Sequence, residues 1–281
     1  MILVTGATGA IGRYLVHQLL QEGVPFRALV RDAARGRGLG CEYVVGDFDA
    51  PDTLRAALVG VDRLLLNGSV HEAMAGQQKR VVDAAAQAGV AHIVKISAAE
   101  ASAHSERSIN RWHADIEQHL EASGIAWSSL RPTFFMQNLL GHAPAIQQEG
   151  RIHGAYGSGR LAMVDCSDIA ACAAALLTGP VGSPGVFVVT GPEALTFTQV
   201  AERFTTALGK PVTYMDRPVE YFVDALRTRG VPEPIADSFG KMMRAFAADA
   251  AAELTPVVRK LTGRPPRTLD TFLAQHLEVF R

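Results

Sequence analysis

The stretch GATGAIG at residues 6–12 restricts what this chain can become more than any other part of it. It follows the apolar run Ile2-Leu3-Val4 and precedes a pattern in which Ile11, Leu15, Val16, Leu19 and Leu20 share one helical face. A strand that passes into a helix through such a turn leaves backbone N–H groups free at the positive end of the helix dipole, a ready seat for a phosphate. There Gly6 permits the tight turn, Gly9 lets the backbone approach a pyrophosphate, and Gly12 lets helix and strand pack closely. Residues Gly6, Thr8, Gly9, Ala10, Ile11 and Gly12 are therefore the expected cradle of a dinucleotide.

The first half of the chain repeats this strand-to-helix alternation. Strands are expected over 2–5, 26–31, 42–47, 61–69, 92–97 and 126–132, and helices over 11–22, 51–60, 73–88 and 108–123. Such alternation implies a parallel sheet covered on both faces, with its ligand crevice at the carboxyl ends of the strands. From about residue 133 the pattern changes. FFMQNLLGHAPAIQQEG reads as a helix, 185–191 and 212–218 as strands, and TFTQVAE as a helix start where Thr196 and Gln199 have capping-box spacing. The tail from 219 is mostly helical, with breaks at Gly230-Val-Pro, Thr255-Pro and Gly263-Arg-Pro-Pro.

The expected architecture is α/β: a Rossmann-type doubly wound parallel sheet with helices on both faces and a smaller, mainly helical C-terminal substrate lobe. Residues 1–281 read as a single NAD(P)-binding domain, its core about 1–150 with parts of 160–192, and an interleaved lobe about 133–160 and 193–281.

Composition narrows the class. Lys and Arg number 27 against 28 Asp and Glu, and no basic block appears, so direct nucleic-acid binding is not expected. The three cysteines, 41, 166 and 172, form no CxxC, which points to a reducing compartment. Nothing resembles a signal peptide or the roughly 18 apolar residues of a membrane span, so a cytoplasmic protein without membrane contact is expected. The histidines show no HxH or HExxH spacing and no metal site is expected. Asp168 in VDCSDIA stands where a helix would start and reads as a cap.

Which dinucleotide binds depends on the end of the second strand, Leu29-Val30-Arg31-Asp32. An acidic residue there would hold a ribose 2′-hydroxyl, whereas Arg31 offers a fork of donors to a 2′-phosphate. NADPH (NADP+) is preferred and NADH is the alternative. Asp47 and Phe48 after the third strand suit an adenine amine and face, and Asn67, Gly68 and Ser69 after the fourth suit the ribose on the nicotinamide side.

The stretches VTGATGAIGR, ALVRD, VVGDFDAPDTLRAALVGVD, WHADIEQHLEASGIAWSSLRPTFFMQNLL and LTGRPPRTLDTFL together resemble the NmrA-like family of atypical short-chain dehydrogenases/reductases. That family includes NADPH-dependent reductases of quinones and of triphenylmethane dyes, as well as redox-sensing regulators. The resemblance implies the Rossmann fold, the glycine loop and the cofactor role of Arg31. Typical short-chain reductases carry Tyr-x-x-x-Lys on the helix after the fifth strand. In the register set by ASGIAW, Ile109 takes the Tyr place and His113 the Lys place. Ordinary ketone chemistry needs a proton donor, but an electron-poor acceptor can take hydride directly. His113 is the candidate to bond the nicotinamide ribose and then deliver a proton, or else a structural histidine. Ser97 takes the place of the polar serine of short-chain reductases, touching substrate or cofactor or merely capping its strand. Lys95, two residues earlier, shares that strand face and is the weaker candidate.

Pro132 and Thr133 are placed to meet the nicotinamide carboxamide through backbone groups. Trp112, Phe134, Phe135 and Met136 then form an apolar pocket wall or core, and Tyr156 joins them from a mobile loop. The leading expectation is an NADPH-dependent reductase passing hydride to a quinone-like or other electron-poor aromatic acceptor, alone or as a homodimer. The alternatives are an NADP(H)-binding redox sensor with little turnover that acts through protein partners, and a tailoring or auxiliary factor for aromatic natural products.

Overall fold

A computed structural model describes residues 1–182 and 184–281. The chain divides into two compact units. The first comprises Met1–Ser105, Ile109–Arg131 and Ile169–Val188. The second comprises Glu106–Ser108, Pro132–Asp168 and Val189–Arg281.

The first unit is built on strands β1 (Ile2–Val4), β2 (Phe26–Val30), β3 (Tyr43–Val45), β4 (Arg63–Leu66), β5 (His92–Ile96) and β6 (Ala126–Pro132). Between them run helices α1 (Ala10–Gln21), α2 (Ala33–Arg37), α3 (Pro51–Ala57), α4 (Met74–Gln87) and α5 (Ser108–Ala122). The sheet order is β3-β2-β1-β4-β5-β6, followed by the strand Gly185–Val189. All pairings from β3 through β6 are parallel, with Leu3 opposite Arg27 on one side and Leu64 on the other. The order reverses between β1 and β4, which opens the crevice of a doubly wound sheet at the carboxyl ends of those strands.

Burial explains why these segments are strands. Leu3, Leu29, Leu64, Leu66 and Ile93 pack with the apolar sides of α3, α4 and α5 in one cluster. The alternating residues Ile2, Val4, Ala28, Leu65 and Val94 are buried as well. A strand whose both faces are covered needs apolar residues throughout rather than in alternation, as the runs ILV and LLL show.

In the second unit Arg151–Gly154 pairs in parallel with Thr213–Asp216, and Arg160–Leu161 pairs antiparallel with Leu195–Thr196. The rest is mainly helical, from Phe197–Leu208 through Val219–Thr228, Glu233–Ala247 and Val257–Thr262 to Leu269–Phe280. The capping box forms: the Thr196 side chain accepts from the Gln199 N–H while the Gln199 side chain reaches back. Three sequence expectations change. FFMQNLLGHAPAIQQEG is not one helix, because Phe135 is extended and a 3-10 turn over Met136–His142 precedes the helix Ala143–Glu149, with a proline in its first turn. The helix near Asp168 begins at Cys166, and Asp165 is the side chain that accepts the Ser167 N–H at 2.7 Å. Asp168 instead accepts from the backbone and guanidinium of Arg267, at 2.6 and 3.2 Å. Tyr156 does not sit on a loose loop, as its N–H donates to the Tyr214 hydroxyl oxygen at 2.9 Å and the Gly157 N–H donates to Asp216 at 3.0 Å.

Among the described residues no helix is long and apolar enough to cross a membrane, and no group of His, Cys, Asp and Glu side chains is arranged to hold a metal ion. Cys41 and Cys166 are free thiols.

Candidate active site

The turn from β1 into α1 is built by backbone proximity. Gly6 has φ +63°, and a Cβ there would lie 2.8 Å from the Asn67 side-chain nitrogen. A Cβ on Gly12 would come within 2.1 Å of the Gly6 carbonyl oxygen, so only glycine lets α1 start this close to its strand. Gly9 is the N-cap of α1 and contributes no side-chain bond, and the first turn holds no acidic residue. No side-chain cap bond satisfies the N–H groups at this helix start, as an anion-binding turn requires. Gly9 and Ala10 are exposed, Thr8 is half-buried and Ile11 is buried. The Thr5 hydroxyl ties the ends of β1 and β4 together, donating to Leu65 and Asn67 carbonyls and accepting the Asn67 N–H at 2.8 Å.

After β2 the roles of the two charged residues separate. Asp32 caps α2, its carboxylate accepting the Ala34 N–H at 2.8 Å. Arg31 is exposed and forms no ion pair with any described residue. The cation is the group left to meet a ligand. After β3, Asp47 accepts the Asp49 N–H at 2.9 Å, and the Phe48 ring packs against the core of the first unit. A Cβ on Gly68 would lie 3.6 Å from that ring and 3.3 Å from the Gln78 amide nitrogen, so Phe48, Gly68 and Gln78 converge. Ser69 is exposed beside them.

Further along the sheet, β5 and α5 bring the candidates Lys95 and His113 together with groups that the sequence reading did not name as site residues. Lys95 is fully buried. Its Nζ lies 3.0 Å from His113 Nδ1, 3.1 Å from the Ile96 carbonyl oxygen and 3.3 Å from Gln78 Oε1. Burial pulls the Lys95 ammonium down to about 7, with Glu117 opposing and Arg131 reinforcing the shift. Burial, with the charges of Lys95 and Arg131, holds His113 well below the ordinary histidine range, so its ring is neutral. Its Nε2 makes no hydrogen bond to a described residue, and 7 % of the residue remains exposed. One turn along α5, Glu117 accepts from Arg131 Nε at 3.1 Å and also pairs with Arg131 Nη2 and the Ser129 hydroxyl. Burial pushes its carboxyl up, but these bonds and the Arg131 charge outweigh that and hold it below the usual range. The Ser97 hydroxyl is buried near Glu117 without a bond of standard geometry.

Lys95, Gln78, Glu117, Ser129 and Arg131 were thus missed as a cluster. The signal was present in HIVKIS, where one lysine interrupts a strand that should be buried on both faces.

Trp112 packs on the hydrophobic cluster of the first unit. In the second unit Phe134, Met136 and Tyr156 belong to a buried core, while Phe135 is half-buried. Tyr156 stacks on Phe197 at 4.4 Å and meets the edge of Phe134 at 6.0 Å, and burial pushes its hydroxyl up to about 12. The Thr133 N–H donates to the Val189 carbonyl at 3.1 Å and its hydroxyl to the Ala162 carbonyl at 2.5 Å. Its donors are committed, so any ligand contact from Pro132-Thr133 would use carbonyl oxygens.

The chain is similar along its whole length to proteins of known activity. It is 38% identical over 283 residues to the NAD(P)H azoreductase of Xenophilus azovorans, covering 100% of this chain and 99% of that one. It is also 38% identical over 286 residues to the (4-alkanoyl-5-oxo-2,5-dihydrofuran-3-yl)methyl phosphate reductase of Streptomyces griseus subsp. griseus, with 100% and 99% covered. Its structure matches that of the NADPH-dependent quinone oxidoreductase of Escherichia coli in complex with NADPH at a TM-score of 0.88, with 31% identity over 99% of this chain and 100% of that one. The NmrA-like family profile matches residues 1–273. With that match and these full-length likenesses, the chain belongs to the NmrA-like family.

Proposed function

We propose that this protein is an NADPH-dependent reductase that passes hydride to a quinone-like or other electron-poor conjugated acceptor. The observation that carries the reading is the arrangement of the first unit, where the glycine cradle, the unpaired Arg31 and a pinned, neutral His113 lie along the carboxyl side of one parallel sheet. A bound nicotinamide would supply the hydride. Gly6, Gly9 and Gly12, with the start of α1, hold the pyrophosphate, and Arg31 holds the 2′-phosphate. Asp47 and Phe48 flank the adenine, and Asn67, Gly68 and Ser69 run past the second ribose. His113 would present Nε2 to that ribose and to the acceptor.

Ile109 replaces the tyrosine of the usual dyad, so the chain is suited to acceptors that take hydride without prior protonation. For these, holding donor and acceptor in contact supplies most of the acceleration. The relatives support this breadth, since an azo group, a conjugated lactone and a quinone are all electron-poor π systems.

The test is loss of NADPH absorbance with a panel of quinones, azo compounds and cationic dyes. Turnover well above the uncatalysed rate, reduced in His113→Ala, is the expected result. Tight NADPH binding without consumption across the panel would overturn the reductase and favour a sensor.

A further inference from the structure

A neutral imidazole is a poor acid, and His113 is neutral because burial and two nearby cations oppose its charging. It can still give up its Nε2 proton if Nδ1 gains another in the same event. The surroundings of Lys95 are built for that exchange. Its Nζ has three neighbours, of which Ile96 O at 3.1 Å and Gln78 Oε1 at 3.3 Å can only accept. Two Nζ hydrogens therefore point at these oxygens, and the remaining direction faces His113 Nδ1 at 3.0 Å. As an ammonium, Lys95 donates along that direction and leaves the ring hydrogen on Nε2. As an amine, its lone pair lies there and accepts an Nδ1–H. One set of partners serves both protonation states.

The charges facing the pair come from α5 and β6. Glu117 is tied to Arg131 and Ser129 rather than to Lys95, so it does not take the proton itself. On the side away from Lys95, His113 Nε2 has no partner among the described residues.

We propose that Lys95 and His113 form a two-residue proton relay for acceptors that need a proton as well as a hydride. The inference rests on the reductase reading above. The acceptor is reduced by the incoming hydride at the expense of the nicotinamide. Its anionic oxygen or nitrogen then takes the proton from His113 Nε2 as a Lys95 Nζ–H bond breaks and a new N–H bond forms at Nδ1. Lys95 is left as an amine. Water returns a proton to Nε2, and the Nδ1 proton passes back to Nζ. His113 touches the acceptor, and Lys95 is a positioning residue that acts through it.

Two measurements test the relay. The first is 15N NMR of histidine-labelled wild-type protein without cofactor across the Lys95 titration. The ring hydrogen should sit on Nε2 at acid pH and move to Nδ1 as Lys95 loses its proton, and Lys95→Met should abolish the movement. A tautomer that stays fixed across the titration, or an Nδ1 hydrogen at acid pH, would overturn the relay whatever the activity. The second compares a quinone, whose reduction consumes a proton, with a triarylmethane cation that hydride alone neutralises. Lys95→Met should lower kcat for the quinone about tenfold more than for the dye, the order of one proton-transfer contribution. Equal losses, or no loss, would overturn the relay and leave Lys95 structural. Wild-type protein that reduces neither compound would refute the reductase reading, and the tautomer measurement would still judge the pair.

Discussion

Lys95 loses its proton at about 7 in the folded chain, against an ordinary value of 10.5. Between those limits the unfolded state binds more protons, so stability rises with pH, by at most about 1.4 kcal/mol per unit. Denaturant melts between pH 7 and pH 9 should show this slope in the wild type, and Lys95→Met should flatten it. Arg31→Ala should weaken NADPH binding tenfold or more beyond its effect on NADH, because the proposed bidentate phosphate contact would be lost and the capping role of Asp32 keeps that carboxylate from substituting. Equal losses by calorimetry for the two nucleotides would place the 2′-phosphate elsewhere. Arg31 was legible because chain position alone put it after the second strand. Lys95 was legible only as a weaker candidate beside Ser97, since only the packing of α4 and α5 on β5 shows that its ammonium is sealed in beside His113 and Gln78.

At the scale of elements, α1 depends on a backbone approach that no side chain tolerates. Gly12→Ala should cost about 1–3 kcal/mol of stability, as overpacking does, because the new methyl meets the Gly6 carbonyl and the Ala7 Cα rather than a movable side chain. In the second unit Phe197 is fully buried between Tyr156, Phe134 and Tyr214. Phe197→Ala should lose about 3–5 kcal/mol in denaturant unfolding. Elements with local signals were readable from the chain. The glycine turn, the Thr196–Gln199 box and the helix ends at Thr228 and Thr262 follow from capping, glycine and proline chemistry, whereas the helix Glu233–Ala247 stops well before the break read at Thr255-Pro. The pairing of Arg151–Gly154 with Thr213–Asp216 was not readable, because RIHG is a strand only by virtue of a partner about 60 residues away. The 3-10 turn at Met136–His142 was hidden for a related reason: the Met136 N–H is held by the Val164 carbonyl and the chain before it stays extended.

For the molecule as a whole, a cofactor that binds only the folded chain stabilises it by mass action, about 2.7 kcal/mol at a hundredfold excess over Kd. NADPH should therefore raise the melting temperature of the wild type and do so far less in Gly12→Ala. In the proposed reductase the cradle, Arg31 and His113 serve hydride transfer and not storage of a nucleotide signal. This is tested most directly by a single turnover: protein saturated with NADPH is mixed rapidly with a quinone, and the reduced-nicotinamide absorbance is followed alongside His113→Ala. A fast, stoichiometric loss of absorbance is expected in the wild type, slowed tenfold or more in the variant while NADPH affinity stays within a few fold, the range of a lost proton-transfer group. A decay no faster than free NADPH with the same quinone, from protein shown to be saturated with cofactor, would contradict it.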